Sequence, residues 1–144
     1  MSVKLNVRGW VKMVKSILLS MLVVAINVTN LYSCDVKAEI ETAFYSLVVD
    51  VETKNEFIPS QTKVLSVQWD GKTLVVDVSK EIGDYGGGTA IEHEIMCQLL
   101  NTAFSIQEVE VFTLLIEGEE KYLPEGTEIL NYTRQRYLNN VARY

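Results

Sequence analysis

The sequence predicts an α+β fold of two layers, a three-stranded sheet backed by helices, and three stretches carry that expectation. Residues 65–78 alternate as a hairpin, Ala90 to Phe104 carries an apolar stripe at helical spacing, and Val109 to Ile116 is a continuous apolar run of strand length. A helix lying between two strands joins them as a crossover over one face of the sheet.

The first element of the folded part opens at Asp35, a residue able to cap a helix. Val36, Ile40, Ala43, Phe44, Leu47 and Val48 then recur at steps of three and four. Tyr45 to Val51 is β-branched and alternates well enough to serve as a strand, so two readings stand for the end of this element. Lys54 to Glu56 and Pro59 stop it.

In the hairpin, Leu65, Val67 and Trp69 alternate with Ser66 and Gln68, and Leu74, Val76 and Val78 alternate with Thr73, Val75 and Asp77. Asp70-Gly71 between them suits a two-residue type I′ turn, whose central positions both need positive φ. After Gly83-Asp84-Tyr85-Gly86-Gly87-Gly88 comes Thr89 with Glu92 three residues on, a capping box that starts a helix at Ala90. Ile91, Ile95, Met96, Leu99, Leu100, Ala103 and Phe104 form its packed stripe, with Glu92, Glu94, Gln98 and Asn101 elsewhere. The strand from Val109 to Ile116 ends at Gly118, and Leu123-Pro124-Glu125-Gly126 turns the chain.

The first 34 residues are made differently. All 19 acidic residues lie at or after Asp35, and Lys4, Arg8, Lys12 and Lys15 lie before it. Ser16 to Cys34 is a run of 19 uncharged residues with an apolar centre at Ile17 to Val28, the size of a signal-peptide core. Leu31-Tyr32-Ser33-Cys34 resembles a bacterial lipobox, with Tyr32 departing from it, which makes Cys34 a candidate lipidation site. The other reading is an uncleaved signal anchor that uses all 19 residues. Both place Asp35 onward outside the cytoplasm.

From Asp35 the chain carries nine basic and nineteen acidic residues, a formal charge of −10, which argues against a nucleic-acid surface. Arg134, Arg136 and Arg143 form the densest basic group there and are expected in a solvated tail. Cys34 and Cys97 allow one disulfide at most, too few for a stapled secreted domain.

Candidate chemistry is thin. His93 is the lone histidine, and neighbouring helical residues point about 100° apart, so it does not converge with Glu94. Gly86-Gly87-Gly88 before a helix invites a phosphate-loop reading, but no lysine follows and the capping box claims the free amides. Cys97 is expected as a buried, inert thiol, and Trp69 and Phe112 as core rather than pocket residues. Asn131-Tyr132-Thr133 matches a glycosylation acceptor, which means little in a chain whose N-terminus resembles a bacterial lipobox. No catalytic, cofactor-binding or metal residue is expected, and the exposed loop Asp84, Tyr85, Gly86, Gly87, Gly88 is the candidate contact surface.

Residues 57 to 126 resemble the GerMN domain, the sporulation and spore germination module of spore-forming Gram-positive bacteria. The resemblance is carried by Ile58-Pro59 with Thr62 to Val67, by Leu74 to Glu81, by Gly87-Gly88-Thr89 with Glu92, by Gln98 to Ala103, and by Val109 through Ile116, Gly118 and Leu123 to Gly126. It implies a fold similar to ring-building modules, a lipoprotein or signal-anchored chain, and activity through assembly. The expected organisation is a signal peptide or anchor over 1–34, an N-terminal helix and linker over 35–56, a GerMN-like domain over 57–127 and a C-terminal tail over 128–144. The family usually opens with an extra strand, for which little room is left after Cys34. The implied function is a non-catalytic extracytoplasmic interaction module on the outer face of the cell or forespore membrane. Its expected partners are other membrane or cell-envelope sporulation proteins and further copies of itself, with no nucleic acid. The alternative is a lipoprotein that binds a small molecule or cell-wall fragment.

Overall fold

The computed structural model describes residues 35–48 and 57–142. Cys34, the apolar run before it, residues 49–56 and Arg143, and with them the signal, anchor and lipidation readings, lie outside the described residues. A helix α1 covers residues 35–48. Tyr45 to Val48 are therefore helical, as the three- and four-residue spacing of the apolar positions predicts. Ile40 and Phe44 are fully buried, while Val36, Ala43, Leu47 and Val48 pack on the core from its rim.

Strands β1 (Val64–Trp69) and β2 (Thr73–Val78) form the expected antiparallel hairpin. Its turn is centred one residue later than Asp-Gly. Gly71 and Lys72 are the central pair, and positive φ is confined to Gly71. Asp70 instead accepts from the amides of Lys72 (2.9 Å) and Thr73 (2.6 Å) through Oδ1, so its carboxylate outcompetes the type I′ geometry. The type I′ signature appears elsewhere, at Glu117 and Gly118, which both have positive φ and close the Ile116–Glu119 bridge.

A register shift between Val64 and Ser66 marks a bulge in β1. One extra residue exchanges inside for outside, so Val64 is buried and Leu65, assigned inward by simple alternation, is 47% exposed. Val67 and Trp69 keep their expected face beside Val76 and Leu74 and are half-buried against the core.

Helix α2 (Gly88–Ser105) carries the chain from β2 to β3 (Val111–Ile116), and these two strands pair in parallel, with Leu74 beside Phe112 and Val76 beside Leu114. Parallel neighbours require such a crossover. Leu74, Val76, Val78, Phe112, Leu114 and Ile116 form one core with Ile95, Leu99, Leu100, Ala103 and Phe104 of α2. Phe44 of α1 meets Phe112 with ring centroids 5.7 Å apart.

The sheet has a fourth, two-residue strand that the sequence does not announce. Strand β4 (Tyr132–Thr133) pairs antiparallel with β3, and helix α3 (Arg134–Val141) follows. Residues 128–142 are thus part of the fold rather than a tail. The Ile129 carbonyl accepts from the Leu114 amide at 2.8 Å, Thr113 Oγ1 accepts from the Asn131 amide, and Ile129 and Tyr132 are buried. Nor is Arg134 solvated. Its guanidinium donates to the carbonyls of Phe104 (2.9 Å), Val109 (2.8 Å) and Ile106, which ties α3 to the end of α2 and the start of β3. Arg136 is exposed and lies 4.5 Å above the Tyr132 ring.

Phe112 is fully buried and touches both the sheet and α1, so Phe112→Ala should cost about 3–5 kcal/mol in urea unfolding, with the cavity term included. The exposed bulge residue is the control: Leu65→Ser should leave the unfolding midpoint nearly unchanged.

Candidate functional site

The glycine-rich loop that the sequence singles out is built on one carboxylate. Gly87 has φ 107° and is the residue before α2, and a β-carbon there would collide with the Ile91 side chain. Only glycine fits. The helix starts at Gly88 rather than Ala90, which places Glu92 in its second turn, and its spacing of three and seven residues from Ile95 and Leu99 puts it on their inner face rather than off the apolar stripe. The expected capping box does not form: no side chain caps α2, Thr89 is exposed, and Glu92 is 1% exposed.

Glu92 binds two loops instead. Its Oε2 accepts from the Tyr85 hydroxyl and from the Glu125 amide (2.7 Å), and its Oε1 accepts from the Thr127 amide (2.8 Å). Burial pushes the carboxyl up, but hydrogen bonds from Thr127, Tyr85 and Glu125 outweigh it and hold Glu92 below its ordinary value. Tyr85 is pushed well up, by burial first and by its bond to Glu92 second. The loop 123–127 closes on itself through Leu123 N to Thr127 O and Gly126 N to Leu123 O, both 2.8 Å. Pro124 packs so near Gly83 that a β-carbon there would lie 3.3 Å away.

The result is a fixed double loop at the N-terminal end of α2. Asp84, Gly86 and Gly87 are exposed on one loop and Glu125 and Gly126 on the other, with Tyr85 and Gly88 half-buried between them. Tyr122, 65% exposed, precedes the second loop. The sequence locates both turns, at Gly83 to Gly88 and at Leu123 to Gly126, but not their partnership, which depends on Glu92 reaching 33 and 35 residues along the chain.

The remaining candidates separate. Phe112 is core and Trp69 half-buried beside it. Cys97 is half-buried rather than buried, and its Sγ lies 3.5 Å from His93 Nε2 one turn away. Burial, then the charge of Glu94, pushes that thiol up, which disfavours a thiolate nucleophile. His93 and Cys97 line a groove of about 500 Å³ between α2 and α3, together with Met96, Tyr132, Tyr137 and Asn140 among others. Among the described residues no three His, Cys, Asp or Glu side chains converge as a metal site, and no helix is long and apolar enough to cross a membrane.

The sequence profile of the Germane family, described as sporulation and spore germination, matches residues 21–122. The chain belongs to that family. No curated protein sequence matches it. Solved structures share the Germane fold at low identity. The first GerMN domain of the sporulation protein GerM from Bacillus subtilis superposes with a TM-score of 0.55 at 22% identity, over 67% of this chain and 78% of that one. A Clostridium perfringens protein classed provisionally as a lipoprotein gives 0.60 at 15% identity, over 70% of each chain. The tandem GerMN domains of GerM give 0.55 at 22% identity, and there this chain spans 38% of the longer protein.

If Glu92 holds the double loop together, Glu92→Ala should cost about 3 kcal/mol or more in urea unfolding, since three donors lose their acceptor. The pH dependence has a fixed sign. A carboxyl depressed in the folded state stabilises fully above its unfolded value, about 4.5, and loses that contribution as pH falls below it. Unfolding midpoints measured from neutral pH down to about pH 3 should therefore fall more steeply for the parent than for Glu92→Gln.

Proposed function

We propose that this Germane-family chain is a non-catalytic interaction module that works outside the cytoplasm in spore formation or germination. It acts by assembling with other membrane or cell-envelope sporulation proteins and with its own copies. Residues 1–34 hold it to the outer face of the cell or forespore membrane, through a lipid on Cys34 or as an uncleaved anchor. The basic, then apolar, opening of the chain and the lipoprotein classification of a clostridial protein of the same fold support this placement.

The double loop carries the reading. It is exposed, held rigid from below by Glu92, and offers glycine backbone and an unburied tyrosine, features that reduce the ordering cost of docking. Its surface is acidic, with Asp84 and Glu125 exposed in a region of charge −10, so the complementary face is basic. A second reading, a lipoprotein that binds a cell-wall fragment, draws on the groove between α2 and α3, where Tyr132, Tyr137, Asn101 and Asn140 bring neutral polar groups to an apolar floor.

Sedimentation of the full chain with sporulation membrane proteins, at rising salt, distinguishes the two. Assembly through the loops should weaken with salt and fall about tenfold or more, a change of ~1.4 kcal/mol, in an Asp84→Lys, Tyr122→Ser variant with unchanged unfolding. Salt-insensitive association untouched by the variant, or stabilisation by cell-wall fragments in place of any association, would overturn the assembly reading. Intact mass of the membrane-bound species checks the anchor: a chain starting at lipid-bearing Cys34 marks a lipoprotein, full length marks an anchor, and recovery solely from cytosol contradicts both.

A further inference from the structure

The double loop is acidic, and the chain carries its own basic counterpart. Residues 35–128 hold all nineteen acidic residues against six basic ones, whereas residues 129–144 hold three arginines and no acidic residue. We infer that the double loop of one copy docks on the outward face of α3 in the next, so that copies join head to tail. The inference rests on the assembly reading above and names the partner of that same surface.

Helix α3 has an open side. None of its eight residues is buried. Tyr137 and Asn140 hold it to the body, through hydrogen bonds of 2.7 Å to Asn101 and to Tyr132. Successive helical residues turn by about 100°, which sets Gln135 and Asn139 at the centre of the outward side and Arg136 and Leu138 about 80° to either side of them. Gln135 donates to Asn139 at 3.0 Å. The face is thus a neutral strip with a cation along one edge and a leucine, 49% exposed, along the other.

The cation is unspent. Among the described residues Lys37, Lys72 and Lys121 each pair with a carboxylate, and the charges of Lys63 and Lys80 reach Glu81. Arg134 is held by three carbonyls. Arg136 meets the Tyr132 ring, and among the described residues no carboxylate pairs with it. A guanidinium lying on a ring keeps its N–H groups at the edge, where they can take a carboxylate as well. The double loop supplies the matching groups: Asp84 and Glu125 as exposed carboxylates, and Tyr122 as an exposed ring to cover Leu138.

The fold keeps the two surfaces apart. The double loop stands at the N-terminal end of α2, an 18-residue helix about 27 Å long, and the first turn of α3 is tied to the other end through Arg134 on the carbonyls of Phe104 and Ile106. Asp84 and Arg136 therefore match between copies rather than within one. A contact between two different surfaces leaves one of each free at the ends of a row, so association continues past the pair.

Sedimentation velocity of the detergent-solubilised full chain, at low salt and rising concentration, tests the contact. The parent should grow past the dimer. Asp84→Lys with Glu125→Lys, and separately Arg136→Glu with Leu138→Ser, should each lower self-association about tenfold or more while unfolding stays that of the parent. An equal mixture of the two variants should form a pair that grows no further, because each supplies the half that the other lacks. A parent that stays monomeric, a loss confined to the loop variant, or a mixture that fails to pair each overturns the inference and leaves the loops free for another basic partner. Self-association untouched by either variant, together with unchanged co-sedimentation of the loop variant with sporulation membrane proteins, sinks the assembly reading as well.

Discussion

The buried carboxylate of Glu92 is the constraint on which the arrangement of this domain's double-loop end depends. Taking a charge out of water is costly unless hydrogen bonds replace the lost solvent, and here three donors do so, from Tyr85, Glu125 and Thr127. None of the three lies within the helix that carries Glu92. The penalty of leaving that charge unsatisfied therefore becomes a force that draws two loops, distant in sequence, onto the N-terminal end of α2. Gly87 makes the entry to the helix sterically feasible, because its backbone is left-handed and a β-carbon there would meet the Ile91 side chain.

Arg134 plays the corresponding part at the other end of α2. Three backbone carbonyls where α2 ends and β3 begins accept from one planar guanidinium, which also lies 5.2 Å from the Phe104 ring. A basic residue in an otherwise polar C-terminal stretch thereby ties down β4 and α3 and completes the wall of the groove. The crossover helix is thus held by a buried anion at its start and a half-buried cation at its end, and both proposed binding surfaces, the double loop and the groove, are built against it.

Membership of the Germane family connects this domain to sporulation and spore germination, and the low identity of the structures that share its fold means that the surfaces are this chain's own. The two surfaces differ in character. One is acidic, exposed and shaped by backbone; the other is a neutral groove lined by apolar and neutral polar side chains. They lie on different parts of α2, so occupancy of one need not exclude the other.

Local pattern in the sequence determined the elements: the 3.6-residue spacing through Phe44 and through Ile95 to Phe104, the alternation through Leu74 to Val78, and the apolar run at β3 each follow from one element burying one face. It also determined the family, since strand, turn and helix cues occur in the family's order. What only tertiary structure decided were the outcomes of competition between distant groups. Asp70 shifted the hairpin turn because its carboxylate captured two amides, and a bulge turned Leu65 outward. Thr89 and Glu92 spell a capping box, yet the Glu125 and Thr127 amides, more than thirty residues away, and the Tyr85 hydroxyl from the preceding loop bound the carboxylate instead. The C-terminal stretch reads as polar tail until β3 offers it an edge and α2 offers it carbonyls. A local pattern predicts local geometry; a buried charge takes whichever donors the whole fold brings to it, and those are absent from its neighbourhood in the sequence.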